Sequence, residues 1–275
     1  MFVEPAEAQV TFRTFGREFS HTVGDVLYLW GSPMRADGRT WLNVALTGAA
    51  FGGLLAVDDQ IDSWIVRNPD SQFMQVVEPF REEHKEVARM VTARRLVPLS
   101  AVFILAGSVS DKRGLREAGH GCLSGWLMSN SLRYAIYAGV SRTRPSVTPG
   151  DQYAFEVPGG DWDHHSFFGG HAMNAFACAT FWNERFDLGL VEPVLYVGAT
   201  AFSLARMADR RHWASDTFLG MVVGYATGRS IAARYERREE NREAREAGQF
   251  GRALFEGLQV SPGAYETRIG WEKRF

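Results

Sequence analysis

Apolar residues in this chain recur almost throughout at helical spacing and almost nowhere at the alternating spacing of a half-buried strand, which confines the fold to helices packed on helices. Residues 17–31 show the pattern: Phe19, Val23, Val26, Leu27 and Trp30 fall on one stripe of an amphipathic helix, read as packing on a core. Further helices are expected over 41–57, 71–91, 97–110, 112–138, 171–184, 193–208 and 213–247. Asp37-Gly38 and the turn-rich stretch 149–160 punctuate them. The expected fold class is all-α, a multi-helix bundle whose motifs sit where helices meet loops.

A chain of 275 residues with 45% hydrophobic content is long enough to bury a sizeable core. Its organisation reads as an amphipathic lead-in over 1–36, a helical domain over 37–235, and a charged helical extension with a hairpin-like tail over 236–275. The net charge of -2 provides no basic field, so nucleic acid is not an expected partner. The longest uncharged run, 40–57, only just reaches the length of a membrane span. With a mean hydropathy of -0.19 for the whole chain, that run is read as a buried core helix. Cys122 and Cys178 show no metal-type spacing. They are read as buried free thiols, a disulfide being left open because Cα separation decides it. The first residues lack the basic and apolar regions of a signal peptide.

The chemistry concentrates in three places. The segment 205–216, ARMADRRHWASD, sets Arg206 ahead of His212 and Asp216 four residues after it. On a helix that i,i+4 pair shares a face, so the carboxylate is expected to hold the imidazole in one tautomer. Arg144 and Pro145 close the segment YAGVSRTRP, and His171 sits in FFGGHA.

This ordered series resembles the type 2 phosphatidic acid phosphatase and vanadium haloperoxidase superfamily, over roughly residues 40–235. The family motifs Lys-x6-Arg-Pro, Pro-Ser-Gly-His and Ser-Arg-x5-His-x3-Asp fall on 137–145, 168–171 and 205–216. Arg144, Pro145, Gly170, His171, Arg206, His212 and Asp216 match. Tyr137 stands where the family has lysine, Phe168 where it has proline, and Gly169 and Ala205 where it has serine.

The resemblance implies a metal-independent phosphatase acting on a phosphate monoester or a lipid phosphate or pyrophosphate. His212 would be the nucleophile that forms a phosphohistidine, Asp216 its orienting carboxylate and His171 the general acid. Arg144 and Arg206 would clamp the phosphate, with the backbone at Gly169 and Gly170 close by. Tyr137 offers the phosphate only a hydrogen bond, and Arg133 and Arg142 are candidates to replace the missing lysine charge. No metal or cofactor is expected. Vanadate would act as an inhibitor, or as the cofactor if the chain were a haloperoxidase instead. A third reading is a degenerate member that binds phosphate or scaffolds a partner. The loop 161–166, DWDHHS, is read as a polar rim rather than a metal cluster, because adjacent histidines on an extended loop point apart. The expected partner is a phosphorylated small molecule or lipid phosphate, with peripheral membrane contact. The resemblance implies a cell-envelope, periplasmic location.

Overall fold

The computed structural model describes residues 5–81, 92–156, 164–256, 258–262 and 267–271. It is all-α. The helices are α1 (Pro5–Trp30), α2 (Gly38–Arg67), α3 (Gln72–Val77), α4 (Ala93–Val109), α5 (Arg113–Tyr137), α6 (Gly170–Arg185), α7 (Val191–Ala208) and α8 (Ala214–Glu256). Two short antiparallel pairs join them: β1 (Ser141–Arg142) with β2 (Phe155–Glu156), and β3 (Leu258–Pro262) with β4 (Thr267–Trp271). The helix expected over 71–91 is α3 followed by a 3-10 turn at Glu78–Phe80; residues 82–91 lie outside the described residues.

The chain divides into two compact units, Met1–Ala232 and Ala233–Phe275. The second contains the charged part of α8 and the β3–β4 hairpin. Arg242 there pairs with Glu239 and Glu246 at i,i+3 and i,i+4 spacing, the solvated arrangement that mixed charges favour. The first unit includes α1, which packs on α5. Thr22 and His120 meet in that interface, Oγ1 to Nδ1 at 3.2 Å, both buried.

Local signals explain the helix starts. Asp37 accepts a hydrogen bond from the Thr40 backbone N–H (2.8 Å) and caps α2, so the Asp-Gly pair is a start signal. The α5, α6 and α8 helices approach closely through glycines. A Cβ added at Gly125 of α5 would lie 2.9 Å from the Ala177 Cβ of α6, and one at Gly224 of α8 would lie 2.5 Å from the Met173 carbonyl.

That close approach corrects the reading of the cysteines. Cys122 on α5 and Cys178 on α6 have Cα atoms 4.5 Å apart and form a disulfide. Sequence spacing carries no trace of this distance, because the neighbouring glycines set it. A cross-link closing so long a loop stabilises by about 2–4 kcal/mol.

The run 40–57 also departs from expectation. None of the most apolar window of α2 is buried, and Trp41, Leu42, Val44 and Leu46 are all more than half exposed. Among the described residues α2 is the one helix long and apolar enough to cross a membrane. Only its second half enters the protein, through Asp58, Asp62 and Ile65. Hydropathy does not distinguish an apolar helix surrounded by protein from one that is not.

Candidate active site

The site is assembled on a buried ionic network under the start of α8. Asp58, from α2, accepts from the backbone N–H of Ser215 (2.9 Å), from the Ser215 hydroxyl and from Arg142 (2.8 Å). It therefore caps α8 from another helix, where the macrodipole favours an anion. Arg142 is fully buried. It donates to Asp58, to Asp216 (2.8 Å), to the Ser215 hydroxyl and twice to the Gln152 carbonyl. Its charge is thus neutralised by two carboxylates, which corrects its reading as a replacement for the missing lysine.

The same network fixes the segment that carries Arg144. The Trp213 indole donates to the Thr143 carbonyl (2.8 Å), and the Ser166 N–H donates to the Arg142 carbonyl (2.9 Å). Arg210, with φ at +54°, grips Asp62 through two hydrogen bonds (2.9 and 2.7 Å) and donates to the Pro145 carbonyl (2.7 Å). The first and third motifs are therefore tied to each other and to α2.

His212 and His171 are brought together, with ring centroids 6.3 Å apart. His212 precedes the first turn of α8, so the helical-face argument for Asp216 does not apply to it. Its Nδ1 instead donates to the Ser166 carbonyl (2.7 Å). A carbonyl only accepts, so the proton is on Nδ1 and the Nε2 lone pair is left for chemistry. Asp216 acts one step back: it accepts from the Ser166 hydroxyl (2.6 Å), from Arg142 and from the Trp213 N–H (3.4 Å). The expected orienting role passes to Ser166, with Asp216 buttressing it.

Burial is the largest influence on His212, His171 and Asp216. It drives His212 down to about 3, aided by the charges of Arg144, Arg206 and Arg133 and opposed by the bond to Ser166. Burial also lowers His171 well below the ordinary imidazole value, with Arg206, His212, Arg133 and Arg144 acting in the same direction. Both imidazoles thus lie in the field of the same three arginines. Asp216 is pushed up to about 6 by burial, against the pull of Arg142 and Ser166. Arg206 is paired with Asp209 three residues on, and Asp209 also accepts from Arg81 (3.1 Å).

Arg133, one turn before Tyr137 on α5, approaches the second motif. Its guanidinium packs over Gly170, where an added Cβ would meet Arg133 Cδ at 3.1 Å and Nη1 at 3.3 Å. Tyr137 is buried and stacks on the His165 ring at 4.0 Å; its hydroxyl donates to the His165 carbonyl (3.3 Å) instead of pointing a proton at a phosphate. The Gly169 N–H is likewise committed, to the Asp216 carbonyl (3.0 Å). The donors at this point are the opening N–H groups of α6 at Gly170 and His171, which a helix leaves without intrahelical acceptors. In the loop 161–166, residues 161–163 lie outside the described residues, and the His164 Nε2 sits 3.3 Å from Glu156.

Sequence reasoning missed Asp58, Asp62, Ser166 and Asp209. The legible signal was the pair of acids on an otherwise apolar helix, which is costly unless partnered.

Two measurements probe this arrangement. A Cβ at Gly220 would collide with the Gly169 carbonyl. Gly220→Ala is therefore expected to cost about 1–3 kcal/mol through overpacking and to lower kcat by displacing the turn before His171. Thermal melts and steady-state rates read both effects. Gly52→Ala, where nothing lies within 4 Å, should be neutral or mildly stabilising.

Stability should also fall with acid. His120 is held down to about 4, chiefly by burial, as His171 and His212 are held down in the site. Unfolded imidazoles take up protons near pH 6.5, so stability is complete above that pH and is lost as pH falls toward the folded values. Asp216, whose folded value is raised, opposes this between about 6 and the ordinary carboxylate value of 3.8 but offsets only one of three groups. The thermal midpoint should therefore drop between pH 7 and pH 5, and His120→Gln should flatten the drop.

A helical bundle that brings two imidazoles, one of them at a helix N-terminus, together in the field of three arginines offers the positive charge and N–H groups that suit an oxyanion. The sequence model of the PAP2 superfamily matches residues 121–240, which run from α5 through the site into α8, and the chain is similar to that superfamily over this stretch. A lipid A 1-phosphatase of Porphyromonas gingivalis is 28% identical over 167 residues, covering 50% of this chain and 37% of that relative. This chain therefore spans little more than a third of the relative's length. No solved structure matches it.

Proposed function

We propose that this chain is a phosphatase that removes phosphate from a lipid phosphate through a phosphohistidine on His212. The observation that carries the reading is the state of His212. It is neutral and buried, its Nδ1 proton is held by the Ser166 carbonyl, and it lies beside His171 in the field of Arg133, Arg144 and Arg206. In this mechanism Nε2 attacks phosphorus while the Nδ1–H bond to Ser166 strengthens as the ring gains positive charge. The three arginines stabilise the transferring phosphoryl group without a metal ion. His171 is kept neutral in the free protein by burial and by those same arginines. A bound phosphate reverses the sign of that field and lets His171 carry the proton that the leaving oxygen takes. Water then hydrolyses the phosphohistidine, with His171 as base.

Three features favour a lipid substrate in the cell envelope, handled on the periplasmic side. The named relative acts on lipid A. The exposed apolar half of α2 suits contact with lipid, and the Cys122–Cys178 disulfide suits an oxidising compartment. Phosphate release from p-nitrophenyl phosphate by wild type and by His212→Ala tests the chemistry. Activity that survives in a folded His212→Ala variant removes the proposal.

A further inference from the structure

A cavity of about 350 Å3 lies between α4, α5, α6 and α7, within the size range of roughly 300–1,000 Å3 typical of small-molecule sites. Its lining side chains are almost all apolar, the exceptions being the Ser100 hydroxyl, the Trp182 indole N–H, which donates to the Ala118 carbonyl, and the sulfurs of Cys122 and Cys178, and no charged residue lines it. A space without polar partners holds water poorly and rejects a charged group. It also lies beside the site just described. His171, Ala175 and Ala179 follow one another at i, i+4 and i+8 on α6, and the last two line the cavity. Phe202 lines it as well, with its ring centroid 6.3 Å from that of His171. From His171 to Trp182 at the far wall the helix rises about 16 Å. A ligand filling both spaces has an anionic head and an apolar tail. Small residues on facing helices, Ala175 and Ala179 against Gly198 and Ala199, create the room.

We propose that this cavity is a chain-binding subsite that takes one hydrocarbon chain of the substrate while its phosphate lies at His212, with Gly198 determining how much chain fits. The inference rests on the phosphatase reading above. Gly198 lines the cavity, and a Cβ added there meets nothing within 4 Å, so a side chain can be introduced at this wall without a clash at its first atom.

The test compares kcat/KM for hexadecyl and butyl phosphate in mixed micelles. Wild type should favour the hexadecyl ester by about tenfold or more, since burying two methylenes already gives that factor. Gly198→Trp should bring the ratio close to that of a protein indifferent to chain length. An unchanged ratio in a folded variant overturns the proposal. Should Gly198→Trp fail to fold, Gly198→Leu and photolabelling of wild type with a diazirine-bearing hexadecyl phosphate decide the matter. Labels on 93–109 and 191–208 support the subsite, and labels confined to 38–57 overturn it. A wild type that hydrolyses neither ester yet labels 93–109 and 191–208 contradicts the phosphatase reading and leaves the chain site standing.

Discussion

His212→Ala is expected to lower kcat for phosphate release by about a thousandfold or more, because covalent catalysis disappears with its nucleophile. That factor corresponds to about 4 kcal/mol of transition-state stabilisation. Stability should change little or improve, since the variant no longer has to keep a buried imidazole neutral, and the bond lost is a single one to the Ser166 carbonyl. Circular dichroism and a thermal melt separate loss of chemistry from loss of fold. Quenching wild type in alkaline denaturant with a phosphate-labelled substrate should trap a label that is stable in base and lost in acid, and that His212→Ala lacks. Asp216→Asn should give a smaller loss of kcat, because Asp216 orients His212 only through Ser166. An Asp216→Asn variant as inactive as His212→Ala would show that the carboxylate touches the chemistry directly.

Arg142→Met should be the most destabilising single change in the first unit. It leaves Asp58 and Asp216 buried without their shared cation, and breaking a buried pair this way costs about 3–5 kcal/mol. The thermal midpoint is expected to fall by roughly 10 °C. The loss should be greatest where both carboxylates are charged and shrink as pH falls toward about 6, because without Arg142 the Asp216 carboxyl takes up its proton at a higher pH than in the native protein. Arg144→Met, by contrast, should weaken phosphate binding, since its charge acts on both imidazoles of the site. Comparing the two melts with the KM of each variant tells an arginine that holds the fold from one that binds substrate.

The contrast between Arg142 and Arg144 shows how much of the site could be read from sequence. Both sit in SRTRP, and spacing assigned the motif to Arg144. Nothing local said that Arg142 faces two carboxylates from segments 84 and 74 residues away. The His212–Asp216 pair shows the same limit from the other side. The i,i+4 rule presupposes a helix at both residues, but α8 starts at Ala214 and leaves His212 in the preceding turn. Tyr137 and Gly169 stood at motif positions, yet their donors are committed to the His165 and Asp216 carbonyls.

What the sequence determined by itself is what periodicity and composition encode: an all-helical chain, the order of its helices, and the three stretches that carry histidine and arginine. These are local properties, set within a few turns of backbone. Only the tertiary structure decided which oxygen holds the His212 proton, which arginine is neutralised, that Cys122 meets Cys178, and that the apolar half of α2 stays outside the core. Each depends on how closely two helices approach, and that distance is set by packing between residues far apart in the chain.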